Sequence, residues 1–188
     1  MPRTKILSDD AVLEAAYRLI HEEGPEALTF ANVGERCGLS PSTLVQRFKS
    51  KAELVQATLL RAWDQLDAKT AALDAAMPRS PAGAVKLLVK LSGTYGGIEA
   101  FANGLLVLRE DLRDPVLRAR GAKWKRVLCR ALDDRLGAAP HDSGLLMAAA
   151  WQGALVWWGF DPRGDVADFV EARLKAFVSA IAARPPKS

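Results

Sequence analysis

The chain is short of the residues from which catalytic and metal sites are built. It holds two histidines and two cysteines in 188 residues. His21 falls near the end of a helical segment and His141 in a proline-flanked loop. Neither has cysteines or carboxylates at metal-ligand spacing, so no metal site is expected. With only Cys37 and Cys129, and Cys37 on an apolar helix face, the thiols are expected to be reduced in a cytoplasmic protein, not paired in a disulfide framework. There is no P-loop, no dinucleotide glycine fingerprint and no G-x-S-x-G. Asp111 and Asp114 are simpler as helix-end residues than as a catalytic pair. No catalytic residue, cofactor or enzymatic activity is expected.

Long hydrophobic runs are equally scarce. The opening MPRTKILSDD has no apolar stretch of signal-peptide kind. Ser143 to Phe160 carries no charge, and its length touches that of a membrane span. It also contains Gln152 and three glycines and lacks a strongly basic flank, which argues for a buried interface helix and no membrane. Strand alternation, internal repeats and low-complexity tracts are missing too.

What is present is helical. At 49% hydrophobic and 26% charged residues, the composition is that of an ordinary soluble globular chain. The net charge of +4 is no argument for nucleic acid, because residues 1–55 hold eight acidic and seven basic side chains. Placement is the better signal: Arg47, Lys49 and Lys51 cluster beside one short helix.

That helix belongs to Thr29–Leu54, TFANVGERCGLSPSTLVQRFKSKAEL. Val33 and Cys37 lie four apart, as do Leu44 and Phe48, so each pair marks one face of a short helix. Gly38 between them suits the positive φ that ends a helix sharply, and Gly34 lets two backbones approach. Ser40 is a predicted N-cap with Pro41 at the first helical position, and Ser50-x-x-Glu53 a predicted capping box for the next helix. Together they make a helix-turn-helix. Its second helix should enter the major groove with Pro41, Ser42 and Gln46 outward, Gln46 suited to a bidentate pair with adenine. Thr29, Thr43, Arg47 and Lys51 are the candidate phosphate contacts, with Ser40 beside them, and Arg3 and Lys5 form a short basic arm.

These residues resemble the TetR-type transcriptional regulators. The family pattern is met by Thr29, Phe30, Val33, Gly34, Gly38, Leu39, Ser40, Thr43, Leu44, Phe48, Lys51 and Leu54. One departure stands out: where family members usually carry a phosphate-bonding Tyr, this chain has Val45.

The flanking segments read as helices as well. Val12, Ala15, Ala16, Leu19 and Ile20 give an amphipathic helix capped by Ser8 and stopped at Gly24-Pro25. A long helix from Ser50 to about Leu73 would link the reading head to the rest of the chain. Beyond the Met77–Pro81 break come helices at about 82–91, 98–109, 115–136, 143–160 and 165–183. The expected fold is therefore all-α: a three-helix DNA-binding domain over residues 1–55 and a helical ligand-binding and dimerisation bundle over residues 56–188.

The resemblance implies double-stranded operator DNA, a small-molecule effector and a second copy of the chain as partners. Tyr95, Phe101, Asn103, Trp124, Trp151, Gln152 and Trp157 are the ligand-binding candidates, aromatic side chains with two polar groups among them. Leu155, Trp158, Val170, Leu174 and Phe177, on the last two helices, are the dimerisation candidates. The basic run Arg118–Arg130 reads as a solvated face or an anion-binding one. A rival to the regulator is a helical small-molecule binding protein with impaired DNA recognition.

Overall fold

Capping residues set most of the helix ends. The structure is a computed structural model and describes residues 7–93, 97–137 and 142–182. Arg3, Lys5, Tyr95 and His141 lie outside them. Among the described residues there are nine α-helices and no strand: α1 Asp9–Glu23, α2 Phe30–Cys37, α3 Pro41–Phe48, α4 Lys51–Ala76, α5 Pro81–Ser92, α6 Ile98–Arg113, α7 Pro115–Leu136, α8 Ser143–Phe160 and α9 Val166–Ala182. A 3-10 turn, Pro25–Ala27, joins α1 to α2. Ser8, Thr29, Ser40 and Ser80 each accept a backbone N–H from the first turn of the helix they precede. No helix among the described residues is long and apolar enough to cross a membrane. The uncharged segment lies wholly in α8.

The helices fall into two compact units. The first runs up to Gln65 and takes in Glu99–Gly121; the second takes Leu66–Ile98 and the chain from Ala122 on. The boundary expected near residue 55 does not coincide with this division. α6 and the start of α7 are tied to the N-terminal helices instead: Asn103 Nδ2 donates to the His21 carbonyl at 3.1 Å, Trp63 Nε1 to Asp111 at 2.9 Å and Gln56 to Asp114 at 2.8 Å. Val12, Ala16, Leu19, Ile20, Leu28, Val33, Leu44, Phe48, Leu54, Leu59 and Leu117 form the buried core of this unit. Arg61 links α4 to α1 through Asp10 and Glu14 at 2.6 and 2.7 Å.

The second unit packs α5, α8 and α9 on one another. Its most demanding buried group is Arg135, whose side chain is fully buried. All five guanidinium N–H donors are used: on the Asp74 carboxylate and on the carbonyls of Asp74, Met77, Pro78 and Ala131. Three of these carbonyls belong to the end of α4 and the turn after it, where helix geometry leaves acceptors without intrahelical partners. Arg135 thus closes α4 from α7.

These buried polar groups can be tested by substitution. Arg135→Ala should cost about 3–5 kcal/mol in urea unfolding, because it strands a partly buried carboxylate and several carbonyls. Burial raises the Asp74 carboxyl, but the bonds from Arg135 and Arg79 outweigh this and hold it below its ordinary 3.8. The pair's contribution is therefore present above that value and fades as pH falls through the lowered one. Asp111 is the opposite case: burial pushes its carboxyl up to about 6, with Asp114 adding to the rise against the Trp63 hydrogen bond. The folded state binds this proton more tightly than the unfolded chain, so the contribution is full below 3.8 and is lost as pH rises through 6. Asp111→Asn, which keeps an acceptor for Trp63, should raise the melting temperature at pH 8 and leave it nearly unchanged at pH 4.

Candidate nucleic-acid interface

Both short helices start on a side-chain cap and end on a backbone turn. Thr29 Oγ1 accepts from Asn32 N at 3.1 Å, and Asn32 Nδ2 donates to the Ala27 carbonyl at 2.8 Å, seating the start of α2. Gly38 ends α2 at φ 66°, ψ 32°. Gly34 lies where the turn folds back: a Cβ there would come within 2.6 Å of the Leu39 carbonyl oxygen. Ser40 Oγ accepts from Thr43 N at 3.2 Å and lies 2.8 Å from both Ser42 Oγ and Thr43 Oγ1. Leu44 and Phe48 turn into the core, which leaves Pro41, Ser42, Val45 and Gln46 as the exposed residues of α3. Half of the expected Ser50–Glu53 box forms: Glu53 N donates to Ser50 Oγ at 3.2 Å, while Glu53 Oε1 accepts from that hydroxyl and the Ser50 N–H goes to the Phe48 carbonyl.

Between α3 and α4 the backbone turns on Lys49, at φ 58°, ψ −51°. Ser50 N donates to the Phe48 carbonyl at 2.6 Å across it, a three-residue γ-turn of the strained, positive-φ kind. The turn leaves the Lys49 side chain exposed beside α3. Lys49 was visible in the sequence as part of the basic cluster but not among the candidate contacts.

The charged candidates fare differently. Lys51 is half exposed, with Nζ 3.4 Å from the Glu26 carbonyl oxygen and 4.0 Å from its carboxylate. Arg47 is not free. Its Nη1 donates to the Leu7 carbonyl at 2.7 Å and to Asp9 at 3.3 Å, so it holds the chain entering α1. The phosphate contact expected for it would draw on the remaining guanidinium nitrogens. Arg36 is similarly bound to Glu22 and Glu23, at 2.6 Å each. The acids of this region are thus largely matched by arginines, leaving Lys49 and Lys51 as the exposed cations flanking α3.

The described ligand-binding candidates are divided between the two units. Phe101 and Asn103 belong to the first unit, Asn103 committed to His21. Trp124 and Trp151 do meet, in the second unit, with ring centroids 6.5 Å apart. Their indole N–H groups donate to Thr70 Oγ1 at 2.9 Å and Ser92 Oγ at 2.8 Å. Those hydroxyls donate in turn to the Leu66 and Leu88 carbonyls. Gln152 and Trp157 point outward, Trp157 at 69% exposure. An open cleft of about 560 Å³ lies elsewhere, in the first unit, walled by Lys51, Val55, Gln56, Glu110, Arg113 and Asp114.

Four of the dimerisation candidates are used up inside the chain. Leu155, Trp158, Val170 and Leu174 are buried in the second unit's own core, and Phe177 is half-buried. The large apolar residues that α8 leaves exposed are Leu145, Leu146, Val156, Trp157 and Phe160.

Residues 12–58 match the family model described as bacterial regulatory proteins, tetR family. Over most of its length the chain superposes on a transcriptional regulator from Rhodococcus sp. Rha1 with a TM-score of 0.73, at 18% identity, over 93% of this chain and 96% of that one. A putative transcriptional regulator from Saccharomonospora viridis, solved in complex with choline, superposes at 0.70, with 19% identity over 89% and 93%. The multidrug binding protein EbrR, complexed with malachite green, does so at 0.65, with 18% identity over 88% and 95%. Comparison with curated protein sequences gave no match. The helix-turn-helix, which lies within the residues matched by that family model, and the all-α fold expected from the motif are therefore both present.

The side-chain placements separate three variants. Gln46→Ala should change the ranking of DNA sequences in a binding competition, one bidentate pair being worth about 1–3 kcal/mol of discrimination. Lys51→Ala, in a dimer, should flatten the slope of log K against log salt by roughly 2. Arg47→Ala should leave that slope unchanged and lower stability by about 1.5 kcal/mol, the worth of a charged hydrogen bond.

Proposed function

We propose that this chain is a cytoplasmic transcriptional repressor that binds a palindromic operator as a homodimer and is released by a small apolar or aromatic ligand. The observation that carries the proposal is α3. Its caps and its two buried anchors, Leu44 and Phe48, leave a face of Pro41, Ser42, Val45 and Gln46 exposed, with Lys49 and Lys51 beside it. A recognition helix needs that arrangement: base-reading groups on one face, phosphate contacts at its end. One such helix spans only a few base pairs, so affinity requires two, and two heads on a twofold axis read half-sites about 34–36 Å apart. The exposed apolar face of α8, with Leu145, Val156, Trp157 and Phe160, supplies a surface for that second copy.

For the ligand, Trp124 and Trp151 are the supporting pair. Both rings are buried, and Thr70 and Ser92 satisfy their N–H groups. The solved relatives bound to choline and to malachite green support a small-molecule effector. A rival reading, a ligand-binding protein with impaired DNA recognition, draws on Val45, which offers a phosphate no donor, and on Arg47, whose Nη1 is already bonded to Leu7 and Asp9.

A footprint over the DNA upstream of the chain's own gene tests the proposal. Two protected half-sites with twofold symmetry are expected, and protection no better than on random DNA would favour the rival. Release is tested by titrating choline and malachite green against tryptophan fluorescence, with and without operator. Linkage requires the operator to weaken an effector by the same factor by which the effector weakens the operator. A ligand that binds equally well in both cases is not an inducer.

A further inference from the structure

We infer that Val45 reads a thymine methyl group in each half-site of the operator, an inference that rests on the DNA-binding function proposed above. α3 has three large apolar side chains, and they divide sharply. Leu44 is 0% and Phe48 8% exposed, while Val45 is 43% exposed. Its methyls therefore lie outside the core that holds the helix. Val45 shares its face with Pro41 four residues before it and Ser42 three before it, and Gln46 adjoins it. Ser42 is partly committed, its Oγ being 2.8 Å from the capping hydroxyl of Ser40. Val45 and Gln46 are thus the side chains in the middle of the exposed face with no bond inside the chain.

The groove chemistry then selects the partner. A valine offers no donor or acceptor, so it cannot bond a phosphate or a polar base edge. On the floor of the major groove the apolar group is the C5-methyl of thymine. A β-branched side chain in a helix is held in essentially one χ1 rotamer, so its methyls are positioned by the backbone and lose little freedom on contact. Gln46 alongside is suited to adenine. Val45 and Gln46 together favour a half-site rich in A·T pairs, with Val45 contributing discrimination and no dependence on salt.

The test starts from a duplex selected by the wild-type protein from a random-sequence pool. Each thymine is then replaced singly by uracil, which removes the methyl and nothing else. One position per half-site should lose about fourfold in affinity, the worth of one buried methyl, and changing both half-sites should lose about fifteenfold. Val45→Ala, a substitution at an exposed helix site, should bind the thymine and uracil duplexes equally, at the wild-type level for uracil, with its salt slope unchanged. Its melting temperature and circular dichroism report that it folds. Wild-type indifference to the methyl at every thymine would overturn the inference, as would a Val45→Ala protein that keeps the wild-type preference. Uniform weakening on all duplexes with that preference intact would also overturn it, assigning Val45 to sugar-phosphate packing. If the wild-type protein enriches no duplex from the pool, operator binding fails, and this inference with it.

Discussion

The close approach at Gly34 is the constraint on which the helix-turn-helix depends. The Leu39 carbonyl sits where any other residue's Cβ would be, and Leu39 N donates back to the Gly34 carbonyl at 2.9 Å. With the turn folded this tightly, Ser40 is placed to cap α3, and Leu44 and Phe48 meet the core formed by α1 and α2. The outward direction of Pro41, Ser42, Val45 and Gln46 is a consequence of that seating. A helix of eight residues is too short to be stable by propensity alone, so its orientation is only as firm as its caps and its two anchors.

Charge in this region works by subtraction. The arginines of α1, α2, α3 and α4 are each matched with carboxylates: Arg18 with Glu14, Arg36 with Glu22 and Glu23, Arg47 with Asp9, Arg61 with Asp10 and Glu14. These pairs are mostly solvent-exposed, so each contributes little stability. Their larger effect is to leave lysines, at 49 and 51, as the exposed cations next to α3. A near-neutral domain can in this way present a local positive edge to a phosphate backbone, and the near balance of acids and bases over residues 1–55 is no obstacle to DNA binding.

The second unit solves a different problem, that of polar groups in an apolar bundle. Arg135 satisfies the carbonyls that α4 leaves open at its end, and Thr70 and Ser92 receive the indole N–H groups of Trp124 and Trp151 while donating to their own helices. These bonds end on backbone carbonyls and, for Arg135, on the Asp74 carboxylate as well, so the buried donors are satisfied. α4 and α7 contribute residues to both units.

Sequence by itself determined the helices and the motif, because caps, a positive-φ glycine and i, i+4 pairs are local. Ser40-Pro41, Gly38 and Ser50-x-x-Glu53 mark boundaries in any context, and Ser143–Phe160 emerged with its limits unchanged. Tertiary structure alone decided the partners. The sequence shows that Arg47 is basic and near the end of α3, but not that the Leu7 carbonyl lies 2.7 Å away. It placed Phe101 and Asn103 in the distal domain, whereas long-range bonds such as Asn103 to His21 put α6 in the first unit. The limit is clearest on α8, which is apolar on every side and has no polar stripe to define an outer face. Periodicity could not say whether Leu155 and Trp158 or Val156 and Trp157 would turn inward. The packing of α5 and α9 against α8 chose the first pair and left the second exposed.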